Sequence, residues 1–347
     1  MSEESGERPE MIELPPSEVL DVGRRAFLRI GTPADIADRV VGDLVANEIV
    51  GVRSHGILRL TDYLQDAAAG LLDVAARPAV TAPGGAVRVV DGQGGFGVLA
   101  ADAVTANLYE LLIGHPVCAV ALTNAGHLGR LSAIGTAVAR HGGAVLGFVN
   151  YLGAGQRVVP WQGEDGRLCT NPLLISVPAE PDPFVLDMST STVSEGRIRQ
   201  HWLDGTTVPG GWLVDAAGAE VTDPDRLYSD PPTAFMTPLG GDHGYKGFAL
   251  GVAVELLAGV ISGAGYVRAD TDRRGNGGLF IGISPALAGR AGDEVLREVG
   301  AVRSHLEASS PAVHWPGSGR TSGTDTIRLS QRRWLTLLAH ADGKDPL

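Results

Sequence analysis

Glycine constrains this chain more than any other residue type. It fills 48 of the 347 positions, about 14% and roughly twice ordinary usage. With no collagen-like period, glycines at that density predict many tight turns and close backbone approaches. The rest reads as ordinary globular material, 44% hydrophobic and 20% charged. That is enough for a large core or for two to three domains. Acidic residues outnumber basic ones 40 to 28, for a net charge of -12. This argues against a general nucleic-acid or anionic-membrane binder, both of which need a basic footprint. It is compatible with a small anionic substrate, because one arginine in a cleft can outweigh the global field.

Cys118 and Cys169 are the only cysteines, too few for a zinc cluster or a disulfide framework. With no H-E-x-x-H or C-x-x-C either, no metal is expected. The cysteine usage and the polar, acidic stretch Met1–Glu13, which lacks an apolar signal region, point to the cytoplasm. The longest apolar stretch, Phe248–Ala264, carries Glu255 in its middle; it reads as a buried helix rather than a membrane span.

The first 75 residues predict helices, with Ser17 and Thr32 as N-caps and Pro33 at a first helical position. A third helix is expected to start at Ser54 and end at Gly70. From about residue 78, short β-like runs separated by Gly and Pro take over: Val87–Val90, Val117–Leu122, Val145–Asn150, Leu174–Val177 and Phe184–Met188. The last two flank a turn too short for a crossover helix and should be antiparallel. Helical patterns lie at Ala100–Leu112, Leu131–Arg140, Lys246–Ile261, Asp293–Ser309 and Leu329–Ala341. The expectation is an α+β chain with a mixed, largely antiparallel sheet flanked by helical segments from both termini. Residues 1–77 with 293–347 form the helical domain, and 78–292 form the α/β region.

Several clusters can carry chemistry. Gly92-Gln-Gly-Gly-Phe-Gly97 matches G-x-G-x-x-G, but the next strand ends in Thr123-Asn124 rather than the acidic residue a Rossmann site needs, so a plain glycine turn is the better reading. In Ser54-His55-Gly56-Ile57-Leu58-Arg59, a helix start would place His55 in the first turn, its pKa lowered by the dipole, with Arg59 one turn away. A histidine beside an arginine can exchange a proton with a hydroxyl or carbonyl while the guanidinium holds a carboxylate. The alternative is a solvated helix surface. His127, in a glycine-flanked loop after a buried strand, can be an acid, a hydrogen-bond donor, or a loop histidine satisfied by backbone. Asp187-Met188-Ser189-Thr190 puts hydroxyls at a strand end, suited to ribose or phosphate. Gly244-Tyr245-Lys246-Gly247 opens an apolar helix beside a lysine, suited to an anion.

In this order the segments resemble the malate/L-lactate dehydrogenase family of non-Rossmann, nicotinamide-dependent 2-hydroxyacid oxidoreductases. The likeness spans roughly residues 45–340 and rests on Gly51-Val-Arg-Ser-His-Gly56 with Arg59, Asp91-Gly92, Asn124-Ala-Gly-His-Leu-Gly129, Val159-Pro160-Trp-Gln-Gly163, Thr170-Asn-Pro172, Asp187-Met-Ser-Thr190, Tyr245-Lys-Gly247 and Trp315-Pro316-Gly317. The stretch Val158–Pro172 is most like the branch acting broadly on 2-oxo and 2-hydroxy carboxylates. The resemblance implies a homodimer, with His55 and His127 catalytic and Ser54 and Arg59 on the substrate. It implies cofactor contacts at Asp187, Met188, Ser189, Thr190, Lys246, Gly247, Pro316 and Gly317. The expected cofactor is NADH, with NADPH open because Arg197 and Arg199 could meet a 2′-phosphate. Reduction of a cyclic or N-methyl imine is the alternative chemistry, and a non-catalytic binding protein the remaining one. Arg53, where the family often has Asp, and Ser318, where an acidic residue is usual, depart from the pattern.

Overall fold

The computed structural model describes residues 10–153, 155–268, 270, 274–318 and 325–344. Strand β1 (Met11–Leu14) leads into helices α1 (Pro16–Arg29) and α2 (Ala34–Ile49), then through a 3-10 turn at Arg53–His55 into α3 (Leu58–Ala68). Next come β2 (Ala79–Gly84), β3 (Val87–Asp91), α4 (Gly97–Gly114), β4 (Val117–Ala125), α5 (Leu131–Arg140), β5 (Ala144–Leu152), β6 (Leu173–Val177) and β7 (Phe184–Met188). A small unit follows: α6 (Glu195–Leu203), β8 (Leu213–Val214), β9 (Glu220–Val221), α7 (Asp225–Tyr228) and β10 (Phe235–Met236). Then come α8 (Tyr245–Glu255) with a π-helical extension Leu256–Ile261, β11 (Gly275–Ile283), α9 (Gly292–Glu307), β12 (Ile327–Ser330) and α10 (Gln331–Asp342).

The main sheet has seven strands in the order β2-β3-β4-β11-β5-β6-β7. Only β3 and β4 run parallel, joined by α4, and all other pairs are antiparallel, β6 and β7 included. This is the α+β, largely antiparallel arrangement that the sequence leads one to expect, and it is not a Rossmann sheet. Helices α4 and α5 cover it, burying Val104, Leu108, Ile134 and Val138 against Val120, Leu122, Leu174 and Phe280. Among the described residues α4 is the one helix with the length and apolarity of a membrane span.

The termini meet. β1 pairs with β12 from Met11↔Ser330 to Leu14↔Ile327. Phe27, Val41 and Leu60 of the first three helices share a core with Ile327, Trp334 and Leu337. By contrast α9 buries no residue fully. A third core, around Ile198, Leu213, Leu227 and Met236, holds the small unit together.

Three expectations give way. Ser17 lies inside α1 and Thr32 precedes α2, and neither makes a capping bond. The third helix begins at Leu58, because Ser54 and His55 belong to the 3-10 turn and Gly56 interrupts it at φ -93°, ψ -146°. His55 is therefore not in the first turn of an α-helix. The central strand β11 also escapes the periodicity reading, since Gly275, Gly277, Gly278 and Gly282 break its β pattern. Those glycines are steric. A Cβ at Gly277 would fall on Ala264 and lie 2.7 Å from Asn150 Oδ1, and one at Gly282 would lie 2.8 Å from Cys118 Sγ.

Gly277→Ala should therefore destabilise the protein by about 1–3 kcal/mol through overpacking. Gly42→Ala, in α2 with nothing near its Cβ position, should be neutral or stabilising by up to about 1 kcal/mol. Thermal denaturation of both variants checks this, and equal melting points would contradict the packing account.

Candidate active site

Two loops meet backbone to backbone at the ends of β3 and β4. Gly92 N–H donates to Thr123 O at 2.9 Å, Gly94 N–H to Asn124 O at 2.8 Å, and Gly126 N–H to Gly95 O at 2.8 Å. A Cβ on Gly97 would strike the His127 carbonyl, and one on Gly126 would lie 2.6 Å from Gly95 O. The glycine run does sit within a β-α-β unit, but its freedom is used to admit the neighbouring loop. That contact delivers His127.

From the other side comes the turn carrying His55. The two imidazoles lie with ring centroids 5.2 Å apart. Burial, with the Arg59 charge adding to it, lowers His55 to about 4, while Asp187 pulls the other way. Burial also lowers His127, reinforced by Arg59 and His55. Both rings are therefore neutral at pH 7, and for His55 the cause is burial rather than the helix dipole. The Tyr63 phenol, pushed upward by burial, stands 2.9 Å from His127 Nδ1. We assign the phenol as donor, which leaves the ring proton of His127 on Nε2. His55 Nδ1 is buried without a partner, so Nε2 is the nitrogen that can reach a ligand.

Arg59 is held in place from three sides. Its Nε donates to Ser54 O at 2.9 Å, and its terminal nitrogens to Asp62 Oδ2 at 3.1 Å and Glu195 Oε2 at 3.4 Å. Burial opposes the guanidinium charge, and Glu195 and Asp62 more than restore it, raising its pKa. Of five N–H groups these bonds use three, so two stay available for a carboxylate. Glu195 also accepts from Tyr228 O–H at 2.8 Å. Burial would raise this carboxyl, but Arg59, Arg157, the Tyr228 bond and Arg199 hold it below the usual range. Arg199 makes a bidentate pair with Asp62, at 2.7 and 2.6 Å, and Arg197 lies over the Trp212 ring. Arg199 is thus engaged in the network behind Arg59.

These groups line a cavity of 670 Å³ that also takes in Asp187, Met188, Ser189, Tyr151 and Arg274. Asp187 Oδ2 accepts from Ser132 N–H at 2.7 Å at the start of α5, so the end of β7 is tied to a helix N-terminus. Of the expected residues, Ser54, His55, Arg59, His127, Asp187, Met188 and Ser189 line the cavity. Thr190, Lys246, Gly247, Pro316 and Gly317 lie outside it. Thr190 bonds Thr170 O through its N–H and hydroxyl, and Gly247 packs on Leu239. Lys246 is exposed beside Tyr245. Pro316 O accepts from Val185 N–H at 3.0 Å, and Gly317 packs against Pro183 and Val185 at φ 101°. Tyr63, Asp62 and Glu195 were not anticipated. The first two follow Arg59 at helical spacing, which is a usable signal; Glu195 carries none.

Comparison with known proteins identifies the family. A family model described as malate/L-lactate dehydrogenase matches residues 14–328. An L-lactate dehydrogenase of Cupriavidus necator is 33% identical over 319 residues, 88% of this chain and 90% of that one. Hydroxycarboxylate dehydrogenase B of Escherichia coli O157:H7 is 32% identical over 71% of this chain and 67% of its own length. The solved Δ1-piperideine-2-carboxylate reductase of Pseudomonas syringae superposes with a TM-score of 0.80 at 26% identity, covering 95% of this chain and 99% of that one. The chain belongs to the malate/L-lactate dehydrogenase family. It is accordingly an enzyme, an oxidoreductase that uses a nicotinamide cofactor and acts on a small acid. The residues present suit such a cofactor. The cavity is within the roughly 300–1,000 Å³ of small-molecule sites, and five arginines against four carboxylates line it, a balance that favours an anionic ligand. Among the described residues no three His, Cys, Asp or Glu side chains cluster to hold a metal.

The neutral histidines set a pH dependence. His55 titrates near 4 folded and near 6.5 unfolded, so between these values the unfolded chain binds more protons and acid favours it. The slope is at most about 1.4 kcal/mol per pH unit for each such group. The raised Glu48 acts in the opposite sense over this range, so the test is the difference. From pH 7 to pH 5 the melting point of His55→Asn should lose less, or gain more, than that of the wild type. Parallel changes in both proteins would place the acid sensitivity elsewhere.

Proposed function

We propose that the enzyme reversibly interconverts a small 2-oxo carboxylate and its 2-hydroxy acid, with NADH preferred over NADPH. The observation that carries this reading is the pair of neutral histidines beside a buried arginine with two free N–H groups. A nicotinamide dinucleotide, when bound, supplies or accepts the hydride. Arg59 anchors the substrate carboxylate through its two remaining N–H groups. His55 Nε2 takes the hydroxyl proton in oxidation and returns it in reduction, and His127 Nε2–H orients the same oxygen. Substrate binding tunes this exchange. Arg59 depresses the proton affinity of His55, and a carboxylate seated on Arg59 cancels part of that field while Asp187 continues to raise it.

The cofactor preference is supported by the bidentate engagement of Arg199 with Asp62 and by the position of Arg197, exposed over Trp212 and outside the cavity lining. Reduction of a cyclic imino acid is the second reading, favoured by the likeness to the piperideine-carboxylate reductase; the carboxylate anchor would be the same. A homodimer is proposed on the exposed apolar run Leu256, Val260 and Ile261 with nearby Tyr266, each more than half exposed. A cytoplasmic location is supported by two cysteines that are both free and buried.

His55→Ala should lower kcat by roughly a hundredfold or more with NADH affinity kept within a few-fold. His127→Ala should act more on KM. Arg59→Lys, which keeps the charge but loses the fork, should raise KM for 2-oxo acids. Steady-state absorbance assays over 2-oxo acids and cyclic imines with either cofactor decide this. Near-normal kinetics in both histidine variants would sink the mechanism. Ile261→Lys should shift a dimer toward monomer in light scattering after size-exclusion chromatography, and a wild-type monomer would remove the dimer proposal.

A further inference from the structure

His55 is an odd candidate for an acid-base group because no side chain among the described residues hydrogen-bonds its ring, and the one hydrogen bond bearing on it is with the Ser54 backbone. Its buried Nδ1 is unpaired, and its nearest ring neighbour is His127 at 5.2 Å. A catalytic geometry that loose costs rate, since reacting groups must be held near attack distance. The precision has to come from the backbone. Two buried polar side chains in the last turn of α2 supply it. Asn47, 1% exposed, donates one amide N–H to the His55 carbonyl at 3.0 Å and the other to Asp43 Oδ2 at 3.0 Å. Glu48, 8% exposed, accepts from Ile57 N–H at 3.0 Å. The two bonds grip the chain one residue on either side of Gly56. The same turn is closed behind by Val52 N–H to Asn47 O at 2.8 Å and Gly51 N–H to Glu48 O at 2.9 Å.

Gly56 completes the clamp. Its φ of -93° is not the left-handed value that selects glycine, so the space around the residue is the constraint to consider. A Cβ at that position would collide with the Glu48 carboxylate, its contact with Glu48 Cδ being 2.7 Å. The carboxylate occupies the space that a side chain would need. Burial pushes Glu48 up to about 7, and either protonation state keeps an oxygen able to accept from Ile57 N–H.

We infer that Asn47 and Glu48 are positioning residues for His55, acting through the backbone on both sides of Gly56, whose missing Cβ makes room for the Glu48 carboxylate. This rests on the assignment of the proton step to His55. Arg59 shares this turn through Ser54 O and Gly56 O but is also held by Asp62 and Glu195, supports that His55 lacks, so loss of the clamp moves the histidine more than the carboxylate anchor.

The test is steady-state reduction of the best 2-oxo acid from a panel that includes pyruvate and oxaloacetate, with NADH affinity by fluorescence and melting points alongside. Asn47→Ala, Glu48→Ala and Gly56→Ala should each lower kcat about tenfold or more while KM and NADH affinity stay within about threefold. Glu48→Gln, which keeps an acceptor for Ile57 N–H, should recover most of the rate lost in Glu48→Ala. Gly56→Ala in a Glu48→Ala background should cost nothing further, because the added methyl then meets no carboxylate. If Glu48→Ala does not fold, Gly56→Ala reports the same displacement with one added carbon. Three results would overturn the inference: kcat within twofold of wild type in Asn47→Ala and Gly56→Ala when His55→Ala is impaired, no rescue by glutamine, or full additivity of the double variant. A His55→Ala enzyme with normal kcat would overturn the histidine assignment itself, and the clamp with it.

Discussion

The backbone-to-backbone contact of the Gly92–Gly97 run with the loop after β4 is the constraint on which the rest of the site depends. His127 sits on that loop, and nothing bulkier than glycine at 92, 97 or 126 lets the two chains approach. The contact also sets where α4 begins, since Gly97 is its first residue. Sheet, helix layer and histidine are thereby fixed to one another by a few hydrogen bonds between peptide groups. Phe96, in the same run, packs edge-on against Phe27 and Tyr63. The N-terminal helices that carry His55 and Arg59 are thus keyed to the sheet that carries His127.

Electrostatics decides what this assembly can do. A buried guanidinium flanked by two carboxylates has its desolvation cost offset and stays charged. Two imidazoles in the same enclosure cannot charge as cheaply, since each would face Arg59 and the other ring. The site is thereby divided into a permanent cation suited to an anion and neutral rings that, in the proposed mechanism, move or orient a proton. Arg59 ties the third core in as well, because Glu195 and Tyr228 belong to the small unit.

How much of this was legible depended on distance along the chain. His55, Arg59 and Ser54 fall within six residues, and His127 within a glycine-flanked loop, so local chemistry marks them. The antiparallel β6–β7 pair was equally visible from its short turn. β11 was hidden because its glycines, demanded by Ala264, Asn150 and Cys118 from remote segments, erase the alternation that marks a strand. The short β1–β12 pair draws its two strands from opposite ends of the chain, and neither has a hairpin turn to announce it. The helix expected from Ser54 failed at Gly56, where a glycine serves the Glu48 side chain rather than a helix. Glu195 carried no signal in the sequence, and Arg199, a candidate for a 2′-phosphate, is instead paired with Asp62 next to Arg59.

The geometry also separates what is common to the substrates from what distinguishes them. The proposed carboxylate end is rigid, with Arg59 bonded to Ser54, Asp62 and Glu195, and Asp62 and Glu195 held in turn by Arg199 and Tyr228. Beyond it the same cavity runs past Gln65, Asp66 and Tyr151 to Arg274, and Arg274 is exposed at its rim. Burial, aided by the nearby Asp62, raises Asp66, and Arg274 opposes the shift. With the carboxylate on Arg59 as proposed, a substrate's variable group would meet opposed charges whose balance a single substitution would change. Discrimination among acids of one head group has to arise at that far end, because an anchor shared by every 2-oxo acid contributes equally to all of them.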